Sequence, residues 1–277
     1  MYNEHFIPTK INFMRLAKLY LFFITCTALG LNSCQKEGKI FKDLDGLLHS
    51  KNDNTYKGPQ VKVGNGHART FITINPSGAP KEIGVIFTKE ALSGLPATNS
   101  LYQLEFHDKA LNGTLFKHVA IGWSAAGHGL PPSGSMGPHM DCRFFLMTAA
   151  ERLAIPAPST SGYPAGGGFD VSPPSGYLPA NYAMNAAVAQ IGRHWAENIF
   201  SAGMTVPHTM ILGTWNGALT FINPIVTLTT LASGTSYSVA YPQQQFFAKR
   251  GYYPTKYNIY KDDKGSHYVT LTGFVWR

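Results

Sequence analysis

The chain has 277 residues, only 14% of them charged, and a formal net charge of +8. That excess is mild, and no Lys/Arg stripe with interleaved aromatics accompanies it, which argues against a nucleic-acid surface. Of three cysteines only Cys142 lies beyond residue 34, so a processed chain has no intramolecular disulfide and no thiolate metal cluster, and its stability must come from a core.

Taken in order, the chain begins with a targeting signal. Arg15 and Lys18 precede an apolar run, Leu19 to Leu31, which ends in Asn32-Ser33-Cys34. Basic, apolar, small residue, cysteine is the order of a bacterial lipoprotein signal, with Cys34 as the site of lipid attachment. The run is shorter than the ~20 residues needed to span a bilayer. Met14 gives a tidier start than Met1. Removing residues 1–33 takes away Lys10, Arg15 and Lys18 against Glu4 and brings the net charge to about +6. Residues 34–58, rich in Lys, Asp and Asn, read as a tether. The protein is expected in a bacterial cell envelope, on an inner or outer membrane, facing periplasm or exterior, held by a diacylglycerol anchor.

Residues 59–277 read as a single β-rich domain. Ala68 to Ile74, the turn Asn75-Pro76-Ser77-Gly78, and Glu82 to Thr88 predict a hairpin. Lys89 to Leu95 predicts a helical turn; Leu101–Phe106, Phe116–Trp123 and His139–Met147 predict strands; Ala149–Leu153 predicts a short helix. Residues 156–183 hold six prolines and five glycines and predict a long surface loop, either a functional wall or an insertion without a role. Ala186–Trp195 reads as a short helix broken at Gly192. Asn216-Gly217, between HTMILGTW and ALTFINP, is the strongest short-range hairpin signal in the chain. Val226–Leu231 reads as a helical turn, and the KYNIY and HYVTLTGFVW segments as a final hairpin. Eight to ten strands with little helix predict an antiparallel β-sandwich or barrel with long loops and a few short helices.

The chemistry-bearing residues cluster around 116–147. His118, His128, His139 and Asp141 sit at or near the ends of two apolar runs that flank a Gly/Pro loop. Residues i and i+2 of a strand share a face, so His139 and Asp141 point together. Three readings stay open. His139 and Asp141 with one of His128, His194 or His208 would form a two-His-one-carboxylate site for a divalent metal, zinc, iron or copper. Alternatively the histidines brace the loop by bonding its backbone while Asp141 pairs with Arg143 or a histidine. In the third reading Asp141 orients His139 for acid–base work. No Gly-x-Ser-x-Gly elbow is present, and Cys142 alternates to the opposite face, into the core. Tyr163, Phe169, Tyr177, Tyr252 and Tyr253 lie in or near flexible-looking, glycine-rich segments and are candidates for contact with a glycan, peptide or small molecule.

The ordered set FKHV, GHGLPP, PHMDCRFFLM, GRHW, HTMILGTWNGALTFINP and GYYPTKY resembles a family of exported bacterial proteins of unknown function. Members of that family carry a Pro-His-x-Asp-x-His-Phe-Tyr core, a Gly-x-His-Trp motif and a Tyr-x-Gly-x-x-x-Phe-x-Glu-Pro segment. The resemblance covers most of residues 60–277. It aligns the core histidine and aspartate with His139 and Asp141 and the Gly-x-His-Trp histidine with His194. Arg143 stands for the second core histidine, Phe145 for the tyrosine and Asn223 for the glutamate. It implies no reaction. Two functions follow as expectations: a binding or structural module, monomeric or homo-oligomeric, whose His/Asp cluster is structural or holds a metal; or a metal-dependent enzyme, oxygenase- or hydrolase-like, using His139 and Asp141 with the Pro-rich loop as wall or lid.

Overall fold

The computed structural model describes residues 52–130 and 133–277. The stretch read as a signal segment, Cys34 and most of the stretch read as a tether lie outside the described residues. The fold is an antiparallel β-sandwich of two seven-stranded sheets, with no closed barrel. Among the described residues no helix is long and apolar enough to cross a membrane.

The first sheet holds β1 (Asn54–Lys57), β2 (Val61–Val63), β3 (Gly66–Ile74), β4 (Pro80–Phe87), β14 (Tyr237–Ala240), β16 (Lys256–Lys261) and β17 (His267–Thr272). They run in the order β1-β3-β4-β17-β16-β14, with β2 added onto β3. The second sheet runs β10 (Tyr182–Val188), β11 (Gly192–Glu197), β12 (His208–Trp215), β13 (Ala218–Thr227), β9 (His139–Phe145), β6 (His118–Ser124), β5 (Ser100–Glu105). Two ribbons complete the strands: β7 (His128–Leu130) with β8 (Gly134–Met136), and β15 (Tyr252–Tyr253) with β18 (Val275–Trp276). The helices are short: α1 (Asp108–Gly113), α2 (Ala149–Leu153), whose Thr148 and Glu151 form a capping box, and α3 (Leu228–Ser233).

Both predicted hairpins with turn signals are present. Asn216 and Gly217 both take positive φ (50° and 73°), the conformation of a two-residue turn whose twist matches its strands. Three expectations are corrected. β1 pairs with β3, so the sandwich begins at Asn54, inside the stretch read as tether. The strands outnumber the expected eight to ten, because edge strands of three or four residues leave no pattern to read. Residues 186–195 are no helix: they form the ends of β10 and β11, which pair with each other, and β11 pairs in turn with β12. Tertiary pairing overrides the helix preference of the alanines.

The sandwich interior is filled from both sheets. Ile72, Ile83, Val85 and Val269 meet Val119, Ile121, Met140, Cys142, Phe144 and Leu212 there. The outer face of the second sheet is covered too. Leu130 and Met136 of the β7–β8 ribbon, with Phe200 and Val206, pack over Ala120, Phe145, Ile211, Phe221 and Ile225. A sheet buried on both faces explains why β9 reads as a near-continuous apolar run.

The proline-rich segment packs instead of trailing. Ile155, Ala165 and Phe169 form a third cluster with Ala187. The fully buried Arg193 of β11 holds it from beneath, donating to the carbonyls of Phe169 (3.1 Å), Gly162 (2.8 Å) and Asn185 (2.9 Å) and to Asp170 Oδ1 (2.7 Å). Replacing Arg193 by Met strands three carbonyls that now have a charged donor. The expected loss is about 2–4 kcal/mol of stability. Limited proteolysis checks it: cleavage within 156–181 should become much faster than in the wild type, and an unchanged digestion pattern would show the loop is held by its apolar cluster alone.

Candidate functional site

Strand alternation decides which of the candidate residues can meet. On β9, Met140, Cys142 and Phe144 face the sandwich interior, so His139, Asp141, Arg143 and Phe145 face outward. In register, Asp141 lies beside Gly122 of β6 and Ile225 of β13, and His194 of β11 shares a row with Gly213 and Phe221. His118, His139, Asp141, Arg143 and His194 therefore share the outer face. His208 does not. It aligns with Val226 and Met140 on the inner face, where its Nδ1 meets the Tyr257 hydroxyl at 2.8 Å and its ring packs on Tyr237. Chain separation made it a plausible partner of His139; strand parity puts it on the other side.

The centre of the outer face is an ion pair. Arg143 Nη2 lies 3.0 Å from Asp141 Oδ2, and Asn223 Nδ2 donates to Asp141 Oδ1 at 2.8 Å. Burial pushes the Asp141 carboxyl up, but Arg143, His139 and the Asn223 bond together hold it below its ordinary value, so it stays ionised. Gly122 makes room for the pair. A Cβ there would sit 2.4 Å from Arg143 Nη1 and 3.2 Å from Asp141 Oδ2, so the guanidinium lies where a side chain would otherwise be.

The two buried imidazoles beside this pair, His139 and His194, are held neutral by burial. His139 is fully buried, its Nδ1 is 2.8 Å from the Gly137 carbonyl and its Nε2 is 3.8 Å from Asp141 Oδ2. Burial lowers its pKa against the opposing pull of Asp141. His194 is lowered to about 3 by burial and by Arg143; its Nδ1 faces the Ala186 carbonyl and its ring stands edge-on to Phe221. His128 is exposed, bonds the Gly129 carbonyl, and sets its ring 4.7 Å from that of His139. His139 and His128 thus brace the loop between β6 and β9, and Asp141 is paired, the arrangement of the second reading. Among the described residues no three His, Cys, Asp or Glu side chains are grouped to hold a metal. Cys142 is buried in the sandwich core, and burial raises its pKa, so it is a packed thiol.

His118 belongs to a separate anchor. Arg152 of α2 is buried and donates from Nε to His118 Nε2 (3.1 Å), from Nη1 to the Gln190 carbonyl and from Nη2 to Gln103 Oε1, while its guanidinium lies 5.6 Å from the Phe145 ring centre. Burial and the Arg152 charge push His118 down to about 4.

Above the ion pair opens a cavity of about 550 Å³. Its floor is Gly122, Asp141, Arg143 and His194; Leu130, Val188, Ile191, Ile211 and Ile225 make apolar walls, with Leu101 and His128 at the rim. Sequence reasoning missed the walls and Gly122. A lone glycine inside an apolar strand was the available signal for Gly122, since it marks a close approach. The walls come from four strands and the β10–β11 turn and carry no shared pattern.

The aromatic candidates scatter. Tyr163 is 69% exposed, whereas Phe169 is buried edge-on to Trp215. Tyr177 packs on Phe246, and these two line a second cleft of about 390 Å³ with Tyr253 and Trp215. Tyr253 is itself buried, its hydroxyl on the Lys249 carbonyl; Tyr252 stands against Trp276 in the β15–β18 ribbon.

Comparison with known proteins gives one match. The TTHB210-like family, described as hypothetical protein TTHB210, matches residues 76–123, an uncharacterised family over that stretch. The match runs from the β3–β4 turn through Trp123; it takes in Gly122 and stops short of His139, Asp141, Arg143 and His194. No curated protein and no solved structure matches the chain.

His118 and His194 are lowered in the folded state, so below pH 6.5, down to about 4 for His118 and about 3 for His194, the unfolded chain binds more protons. Stability is then fully present above pH 6.5 and falls as the pH drops from 6.5 toward those values. Urea midpoints measured from pH 4.5 to 7.5 should rise with pH. His118→Gln keeps an acceptor for Arg152 without the titration, and should make that rise shallower; an unchanged slope would remove His118 from this account.

Proposed function

We propose that this chain is a cell-envelope lipoprotein, tethered through Cys34, whose sandwich serves as a binding module for a small organic molecule in the outer-face cavity. The lipoprotein part rests on the order of Arg15/Lys18, the apolar run and Ser33-Cys34. The binding part rests on one observation: a cavity of about 550 Å³ with apolar walls that ends on a hydrogen-bonding floor without net charge. Pockets of this size that combine apolar walls with a few convergent polar groups are the usual form of small-molecule sites.

The floor constrains the ligand. Arg143 and Asp141 neutralise each other at 3.0 Å, and His194 is held neutral. A ligand with strong net charge would leave water without a counter-charge to meet it. A molecule with an apolar body and an uncharged or zwitterionic head finds a donor in Arg143 and an acceptor in Asp141. The body would lie along Leu130, Ile191, Ile211 and Ile225.

The uncharged amphiphile N-phenyl-1-naphthylamine is a suitable probe. It should bind the full chain with saturable fluorescence enhancement, near one per protein. Val188→Trp, at the exposed edge of the apolar wall, should weaken binding at least roughly tenfold by filling the mouth, an effect of the size that one lost or blocked apolar group produces. Gly122→Ala should weaken it by displacing Arg143 over the floor. Equal binding by wild type and both variants would place the dye elsewhere and overturn the assignment of this cavity.

A further inference from the structure

The strand registers bring one end of the first sheet into a single place. β1 begins at Asn54 opposite Ile74, the β3–β4 turn lies beyond Ile74 and Pro80, and Glu82 aligns with Thr272, which aligns with Lys256. The β15–β18 ribbon flanks Lys256 and Thr272 in sequence and therefore stands at this same end. Three strand spacings separate β1 from β17, roughly 15 Å at ~4.8 Å each. The chain thus enters the sandwich beside the ribbon, about twenty residues after Cys34.

The ribbon is built to present aromatic surface. Gly251 and Arg277 exchange both backbone hydrogen bonds (3.1 and 2.9 Å), and Trp276 stands edge-on to Tyr252 at 5.0 Å. Trp276 is 60% exposed, Val275 is exposed beside it, and Phe246 is exposed in the loop leading to the ribbon. Around them Arg250, Lys256 and Arg277 are exposed cations, Arg277 lying over the Phe247 ring. Two acids at this end face inward: Asp53 bonds Lys81 at 2.7 Å with its side chain 3% exposed, and Glu82 is buried against the Tyr260 hydroxyl; the exposed Glu151 has Lys249 as a neighbouring cation. Aromatic side chains with a wet edge, set among Arg and Lys, suit the boundary between headgroups and acyl chains, and exposed cations favour anionic lipid.

We infer that the β15–β18 ribbon, led by Trp276 with Tyr252, Arg250 and Arg277, docks on the anionic phospholipid surface that carries the chain. This inference rests on the lipoprotein reading for its orientation. Docking would give the sandwich a fixed pose, with one end on the bilayer.

The test uses the full chain purified from membranes and reconstituted into phosphatidylglycerol–phosphatidylethanolamine vesicles, with and without brominated acyl chains. Of the chain's four tryptophans, Trp123 and Trp195 are buried and Trp215 is half-buried, so quenching by bromine reports on Trp276. The emission should be quenched in brominated vesicles, and Trp276→Phe should return it to the unbrominated level. Arg250→Glu with Arg277→Glu should lower the quenching several-fold, and so should raising salt toward 0.5 M in the wild type, roughly as surface electrostatics are screened. Intact mass measured on the same preparation reads Cys34 lipidation independently, so failure of the anchor and failure of the docking are told apart. No quenching beyond that of Trp276→Phe would overturn the inference. A dimer in solution that Trp276→Phe dissolves, without quenching, would overturn it too and assign the ribbon to a second copy.

Discussion

Arg143 and Asp141 form an ion pair on a sheet that has no bare face, and much of the outer side is arranged around that fact. Two charges leave water only if their remaining valences are met, since the desolvation cost of each is several kcal/mol. Asn223 meets one carboxylate oxygen, Arg143 the other, and Gly122 vacates the volume the guanidinium occupies. His139 and His194 stay neutral, because burial disfavours their charged forms and further positive charge beside Arg143 would raise the cost again. The β7–β8 ribbon then roofs part of the face with Leu130 and Met136 and leaves the cavity open over the pair.

The same solution recurs twice on this face. Arg152 and Arg193 are both buried side chains that each join several acceptors: Arg193 bonds three carbonyls and the Asp170 carboxylate, and Arg152 bonds the Gln190 carbonyl and the side chains of His118 and Gln103. A guanidinium offers five donors in a rigid fork and cannot shed its proton, so one residue can satisfy several loop carbonyls at once. That is how a segment with six prolines, which cannot bond itself into strands, acquires a fixed path over β11. Arg152 does the same for α2, tying it to β5, β6 and the β10–β11 turn through Gln103, His118 and Gln190.

This division explains what could be read in the sequence. Alternation and turn chemistry are local, so the hairpins at Asn75-Pro76-Ser77-Gly78 and Asn216-Gly217 and the shared face of His139 and Asp141 were legible. Sheet order is not local. Whether His194 or His208 stands near Asp141 depends on strand parity across β11, β12 and β13, and a bulge between Gly213 and Thr214 shifts that parity within one strand. The roles of Arg152 and Arg193 were not legible, because nothing adjacent to them in sequence names their partners. β10 and β11 were misread for a related reason: their alanines favour helix, and only pairing with β12 overrules them.

The ion pair also bears on which cations the face can take. A divalent metal drawn to Asp141 would have to share that carboxylate with a guanidinium already 3.0 Å away, and the two positive charges would repel across the same oxygen. His194, whose Nδ1 faces the Ala186 carbonyl, and His139, whose Nδ1 faces that of Gly137, are each oriented by backbone and fixed in their own directions. Arg143 therefore supplies from within the chain the positive charge that Asp141 needs, permanently and at every pH where the sandwich is folded. On the proposed reading, a floor that carries its own counter-ion would select ligands by hydrogen bonding and shape. It would leave the apolar walls to contribute most of the binding energy, so that blocking the mouth and disturbing Gly122 would act on the same cavity by different physics.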